Sequence, residues 1–168
     1  MTEVHNKIIV VDDKDNEIGV MDMMEARAAG HIRRASRVFV FNQAGQILVQ
    51  RRSAEVLHPC LLDQSVGGHV DEGETYLEAA VREMTEELGI SDVPLDEIVT
   101  SYRTEFHFNG IYRTVVGDSA EFTYNKDEVD EVIWFDPDDL TAHMEQNPDE
   151  FTSSFPVVWR ELRDKIIP

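Results

Sequence analysis

The stretch from Gly68 to Ile90, GHVDEGETYLEAAVREMTEELGI, constrains the fold more than any other part of this chain. Thr75 followed three residues later by Glu78 is a capping-box pattern, which starts a helix just after Glu74. Gly89 is placed to close that helix in a left-handed conformation. At 3.6 residues per turn, Glu83 and Glu87 are i and i+4, and Glu86 is i+3 from Glu83. Three carboxylates therefore share one stripe. Leu77, Ala80, Val81, Met84 and Leu88 fall on a neighbouring stripe, apolar enough to dock on a sheet. The rest of the chain must supply that sheet.

Like charges at these spacings repel by roughly 0.2–0.5 kcal/mol per pair. A helix selected for stability alone would interleave lysines, and none occurs between Gly68 and Ile90. Oxygen-rich side chains converging on one point suit a hard divalent cation, and Mg2+ in particular is held by a few carboxylates together with substrate phosphates. The plainer alternative is a solvated acidic face.

The full spacing is G-x5-E-x7-R-E-U-x-E-E-x-G-U, with U apolar, filled by Gly68, Glu74, Arg82, Glu83, Met84, Glu86, Glu87, Gly89 and Ile90. This resembles the Nudix box of hydrolases that cut diphosphate linkages with magnesium. The resemblance implies an α/β fold, a Nudix-like α/β/α sandwich around a mixed β-sheet. It assigns metal binding and catalysis to Glu83, Glu86 and Glu87, with Mg2+ as the ion and Mn2+ as an alternative. It gives Gly68, Glu74, Arg82 and Gly89 structural roles, Arg82 and Glu74 bracing loop and helix by ion pairing.

Length fits one domain with a proper core. Net charge is −19, from 34 acidic and 15 basic residues. Such a surface repels nucleic-acid polymers and anionic membranes, leaving a small phosphorylated molecule as the expected partner. With a single cysteine, Cys60, there is no intrachain disulfide, and a small buried thiol is the default reading. Neither a signal-like N-terminus nor an apolar run near the ~20 residues of a membrane span is present, which points to the cytoplasm. Nothing in the sequence sets the oligomeric state; a homodimer is among the open options.

The pattern divides into an N-terminal extension over residues 1–33, a core over 34–140 and a C-terminal helical segment over 141–168. Ile8–Val11 and Glu17–Val20 read as strands around a turn, followed by a short helix over Met21–Ala29. Val38–Phe41 and Ile47–Val49 form a hairpin pattern. Beyond the box, Ile98–Phe108 and Tyr112–Phe122 read as strands joined at Asn109-Gly110, and Val132–Phe135 as a short strand. Asp136-Pro137 announces a helix through about Met144. Asn147-Pro148 repeats the device, and a last helix after Pro156 ends near Ile166.

The stretches Arg34–Asn42 and Gly45–Arg52, with the N-terminal strand-turn-strand, are similar to the Nudix branch that contains isopentenyl-diphosphate isomerase. That chemistry uses a cysteine just ahead of the box glycine, where this chain has Gly67. Its catalytic glutamate lies in a later strand, where this chain offers Tyr112, Arg113 and Thr114. Its N-terminal metal histidine aligns with Arg33, with His31 two residues out of step, and only His69 matches a metal ligand. A proton-transfer enzyme needs its acid and base. The sequence therefore reads as a hydrolase on an isomerase-like scaffold, cleaving a P–O–P linkage in a nucleoside diphosphate joined to another moiety. The alternatives are an isomerase-like enzyme and a non-catalytic nucleotide-sensing module. The general base is open between Glu86, Glu87 and a later acid such as Glu121, Glu128 or Glu131. Arg51 and Arg52 either grip a distal phosphate or pair with surface acids. His69 is a loop donor, a metal neighbour or a substrate contact. Tyr102, Phe106, Phe108 and Tyr112 are core aromatics or a base-stacking surface.

Overall fold

A computed structural model of the chain describes residues 7–168, so the stretch read above for targeting signals lies outside them, apart from Lys7. The elements are β1 (Lys7–Val11), β2 (Glu17–Asp22), α1 (Met23–Ala28), β3 (Ile32–Phe41), β4 (Ile47–Arg52), β5 (Leu62–Asp63), β6 (Val66–His69), α2 (Tyr76–Leu88), β7 (Asp96–Arg103), β8 (His107–Val115), β9 (Val129–Phe135), α3 (Pro137–Gln146) and α4 (Phe155–Ile166). The result is the expected α/β arrangement, a mixed sheet layered between helices.

Strand β3 is the hub. It runs parallel to β8 from Arg33–His107 to Phe41–Val115, antiparallel to β6 over Ala35–Val38, and antiparallel to β1 at its start. A strand covered on both faces reads as a continuous apolar run, and Val38-Phe39-Val40-Phe41 is fully buried. Alternation divides the faces. Val38 and Val40 pack on α2 together with Leu48, Val66, Ala80, Met84 and Leu88. Phe39 and Phe41 pack on α3 and α4 together with Leu140, Phe155, Val158 and Trp159. Hydrogen bonding agrees, since the Ser36 hydroxyl donates to the Tyr76 carbonyl at the start of α2, while Arg37 reaches Ser154 at the start of α4.

The N-terminal strands extend the sheet beyond β3, as strand and turn patterns led one to expect. Asp15, in their turn, binds Arg34 at 2.7 Å and accepts from Tyr76 at 2.8 Å, fastening the extension to the core. Met21 belongs to β2 and not to the helix, because Asp22 caps α1 by accepting from the Met24 and Glu25 amides.

Four expectations are corrected. The turn between the two long strands lies at Thr104–Phe106, and Asn109-Gly110 sits inside β8. Gly110 is there for close approach: a Cβ would lie 2.7 Å from the Tyr76 Cβ. Residues 117–128 form no strand. Cys60 is exposed, on a left-handed residue (φ 63°) of the loop before β5, and is no core thiol. Asn147-Pro148 yields only a 3-10 turn over Pro148–Glu150. Among the described residues no helix is long and apolar enough to cross a membrane.

Candidate active site

The box helix forms as its caps dictate. Thr75 accepts from the Glu78 amide and Glu78 returns the bond to the Thr75 amide, while Gly89 closes the other end at φ 68°. Its buried face differs from the expected one. Ala79, Ala80, Glu83, Met84, Glu87 and Leu88 are buried, whereas Leu77 and Val81 are about half exposed. Small residues at 79 and 80 let the helix lie close to the sheet, and that rotation carries two of the three acids inward. Glu83 and Glu87 sit between helix and sheet; Glu86 stays on the rim.

The loop above them is built to fit. A Cβ on Gly68 would lie 1.9 Å from Glu83 Oε1, so only glycine leaves that carboxylate its place. Glu87 Oε2 accepts from the Gly67 amide at 3.2 Å and from Gln50 Nε2 at 3.0 Å. Arg82 is the brace. Its Nε and Nη2 grip Glu74 at 2.7 and 2.9 Å, Nη2 donates to the His69 carbonyl at 3.0 Å, and Nη1 donates to Glu83 at 2.7 Å and Glu86 at 3.1 Å. Glu74 in turn accepts from the Asp71 amide.

Electrostatically the pair of inward acids is under-compensated. Burial pushes Glu83 up to about 7, with Arg82 opposing and the charges of Glu86 and Glu128 adding to the rise. Burial and the Glu83 charge push Glu87 well above the usual carboxylate range, against the donated Gly67 and Gln50 hydrogen bonds. Carboxylates held this way are poised to take up a cation or a proton. As they stand, no three acids or imidazoles among the described residues converge to hold an ion, because Glu83 and Glu86 share Arg82 Nη1. The donor set is nonetheless all oxygen, and its shape is set by the Gly68 cradle. Those are the properties a hard divalent cation requires.

Other sequence candidates fall elsewhere. Arg51 binds Glu131 at 2.7 Å, and Arg52 donates to the Leu57 carbonyl and lies 3.6 Å from Asp63. Gln50, between the strand interior and Arg51, is the residue that meets the box helix. The His69 ring faces away from Glu83, on the other side of the strand from Gly68, with its Nε2 3.2 Å from His107 Nε2. Tyr112 packs in the core beside α2, Arg113 donates to the carbonyls that end α4, and the buried Thr114 hydroxyl has no hydrogen-bond partner among the described residues. None of the three offers an acid or base to the box. Of the later acids, Glu128 alone exerts its charge on both Glu83 and Glu87. Sequence reasoning passed over Gln50, and also over Arg37, His107 and Asn109, which gather on the opposite face of the sheet. No local spacing marks them.

Comparison with known proteins agrees with this geometry. The profile for the NUDIX domain matches residues 31–155. An uncharacterized Nudix hydrolase of Yersinia pestis is 37% identical over 150 residues, covering 85% of this chain and 78% of that protein. An isopentenyl-diphosphate Delta-isomerase of Pectobacterium atrosepticum is 30% identical over 166 residues, covering 94% and 92%. The crystal structure of DR0079 from Deinococcus radiodurans superposes with a TM-score of 0.82 at 26% identity, over 92% of this chain and 98% of that one. Box, sheet and relatives converge: the chain belongs to the NUDIX domain family, as an enzyme of the Nudix hydrolase type.

Proposed function

We propose that this enzyme hydrolyses a P–O–P linkage in a nucleoside diphosphate joined to a further group, with Mg2+ as the working ion and Mn2+ as a substitute. The observation that carries the reading is the pair of buried, under-compensated carboxylates, Glu83 and Glu87, beneath the Gly67-Gly68 loop. Glu83, Glu86 and Glu87 would hold the ion, Glu86 leaving Arg82 to do so while Arg82 keeps its two-point grip on Glu74. When bound, such an ion polarises phosphoryl oxygens and lowers the pKa of a water that attacks phosphorus.

The remaining work belongs to the chain. Gln50 and the Gly67 amide fix the Glu87 carboxylate by two donated hydrogen bonds, so that one oxygen direction stays aimed at the site. Arg82 fixes the loop carbonyl of His69 and thereby the path of the backbone over Glu83. Glu128, whose carboxylate accepts from Asn125 Nδ2 at 2.9 Å and whose charge is felt by both Glu83 and Glu87, would take the proton of the attacking water. Glu131 is engaged by Arg51 and Glu121 is exposed, which favours Glu128 among the later acids, with Glu86 and Glu87 the alternatives on the box helix.

The test is phosphate release from a panel of nucleoside diphosphates, dinucleoside polyphosphates and sugar nucleotides with and without Mg2+. Cleavage of at least one class, lost by orders of magnitude in Glu86→Gln and Glu87→Gln with the fold retained, is expected. Full turnover in both variants refutes the assignment. The isomerase relative earns a parallel assay with isopentenyl diphosphate, scored for the dimethylallyl isomer. No isomerisation is expected, because Gly67 stands in the cysteine's place and the carboxylate-bearing strand positions hold no acid.

A further inference from the structure

Behind the box, on the face of the sheet turned toward α4, the chain gathers cations where it has almost no acids. Arg33, Ala35 and Arg37 alternate onto this face of β3. Parallel pairing sets His107 beside Arg33 and Asn109 beside Ala35, while antiparallel pairing sets His69 beside Ala35 and Gly67 beside Arg37. Arg33 is 5% exposed and Arg37 6%. Arg37 spends its donors on neutral oxygens, Asn109 Oδ1 at 2.9 Å, Gln64 Oε1 at 2.6 Å and Ser154 Oγ at 2.9 Å. Arg33 Nε finds no acceptor among the described residues. Neither arginine forms an ion pair among the described residues, and the acid whose charge reaches Arg37 is Asp63, already bonded to Thr152.

In a protein of net charge −19 with abundant carboxylates, two buried guanidinium groups left without one are an expensive arrangement. Gly67, His69 and His107 are each partly exposed, so the place borders solvent, while the Gln64 side chain lies over Gly67 and holds Arg37 from that side. Both imidazoles lie in the field of both arginines; burial and then those charges hold His69 near 4, and burial, then His69, then the arginines hold His107 near 2. A cation is repelled here and an anion is missing.

We infer that Arg33, Arg37, His69 and His107 form an oxyanion pocket, taking a phosphoryl group one strand away from the box carboxylates. The group is either the far end of the substrate, a link that rests on the hydrolase reading above, or a free anion; the pocket itself needs neither turnover nor metal. Arg33 would present its fork to two oxygens, with an imidazole N–H to a third.

The experiment is binding of inorganic phosphate to the full chain without divalent metal, followed by calorimetry and by the melting temperature, with chloride as the control anion. Wild type and the Glu86→Gln/Glu87→Gln variant should bind alike. Arg33→Met should bind at least about tenfold more weakly, the loss of one charge-assisted contact. It should also melt no lower than wild type without phosphate, since it removes an unpaired buried charge, and Arg33→Lys should fall between the two. Absence of binding to wild type, equal binding by Arg33→Met, or loss of binding in the double box variant overturns the inference. The last two outcomes would place the anion elsewhere. In turnover assays, phosphate that raises KM at constant kcat identifies the substrate's own group as the occupant. Binding that leaves KM unchanged identifies a free anion. Because the binding arm involves no chemistry, an inactive enzyme would refute the hydrolase reading without touching the pocket.

Discussion

Replacing Glu83 by glutamine separates stability from activity in opposite directions. The Glu83 carboxyl is raised from the ordinary 4.5 to about 7, chiefly by burial. A group whose folded pKa lies above its unfolded value favours the fold fully while protonated, below pH ~4.5, and that contribution is gone once pH passes about 7. Converting the shift at 1.36 kcal/mol per pH unit gives ~3 kcal/mol of stability lost by the metal-free wild type between those limits. Glutamine carries no proton to lose, and its amide oxygen still accepts from Arg82 Nη1. At pH 8.5 in EDTA the variant should therefore unfold at a higher temperature, by roughly 6–12 °C for a chain of this size. At pH 5 the two should melt close together. Hydrolysis with Mg2+ should fall by orders of magnitude in the same variant. The assay is thermal unfolding followed by circular dichroism across pH 5–8.5. A variant no more stable than wild type at pH 8.5 would show that Glu83 is not an under-compensated buried acid, and the cation-binding argument would lose its footing.

Further outcomes follow from individual contacts. Gly68→Ala sets a methyl 1.9 Å from Glu83 Oε1 and must expel that carboxylate, so turnover should drop by ~100-fold or more while the melting temperature shifts little. Gly110→Ala drives a methyl into Tyr76 at 2.7 Å and should cost about 1–3 kcal/mol in denaturant unfolding, with box chemistry disturbed only through the start of α2. Thr75→Ala removes the capping hydrogen bond to the Glu78 amide and should cost about 1 kcal/mol, read as a fall of ~2–4 °C in melting temperature.

The box helix was legible because its information is local. Thr75, Glu78 and Gly89 fix its ends by backbone hydrogen bonds within a few residues, and the structure puts those ends where the pattern did. Its orientation was not legible. Leu77 and Val81 look like docking residues on a wheel, but Ala79 and Ala80 permit the closer approach, and two acids are buried in consequence. Asn109-Gly110 carries a turn signature, yet the Asn109 side chain is claimed by Arg37 across β3 and Gly110 by the ring of Tyr76. Both demands come from partners more than thirty residues away, and tertiary need overrode turn propensity. The same holds for His107, which reaches Arg33 and His69 only through the parallel pairing of β3 with β8.

The alternation of β3 also limits how this protein can change. Ser36 and Val38 belong to the acidic layer, while Arg33 and Arg37 belong to the cationic one, and the side-chain period of a strand is two. Inserting or deleting one residue between Arg33 and Val38 would turn guanidinium groups into the apolar packing under the box helix and send valine to the opposite side. Point substitutions along this strand can be graded; a shift of frame cannot. Length drift among descendants of this chain is therefore expected in the loops and not between those two residues.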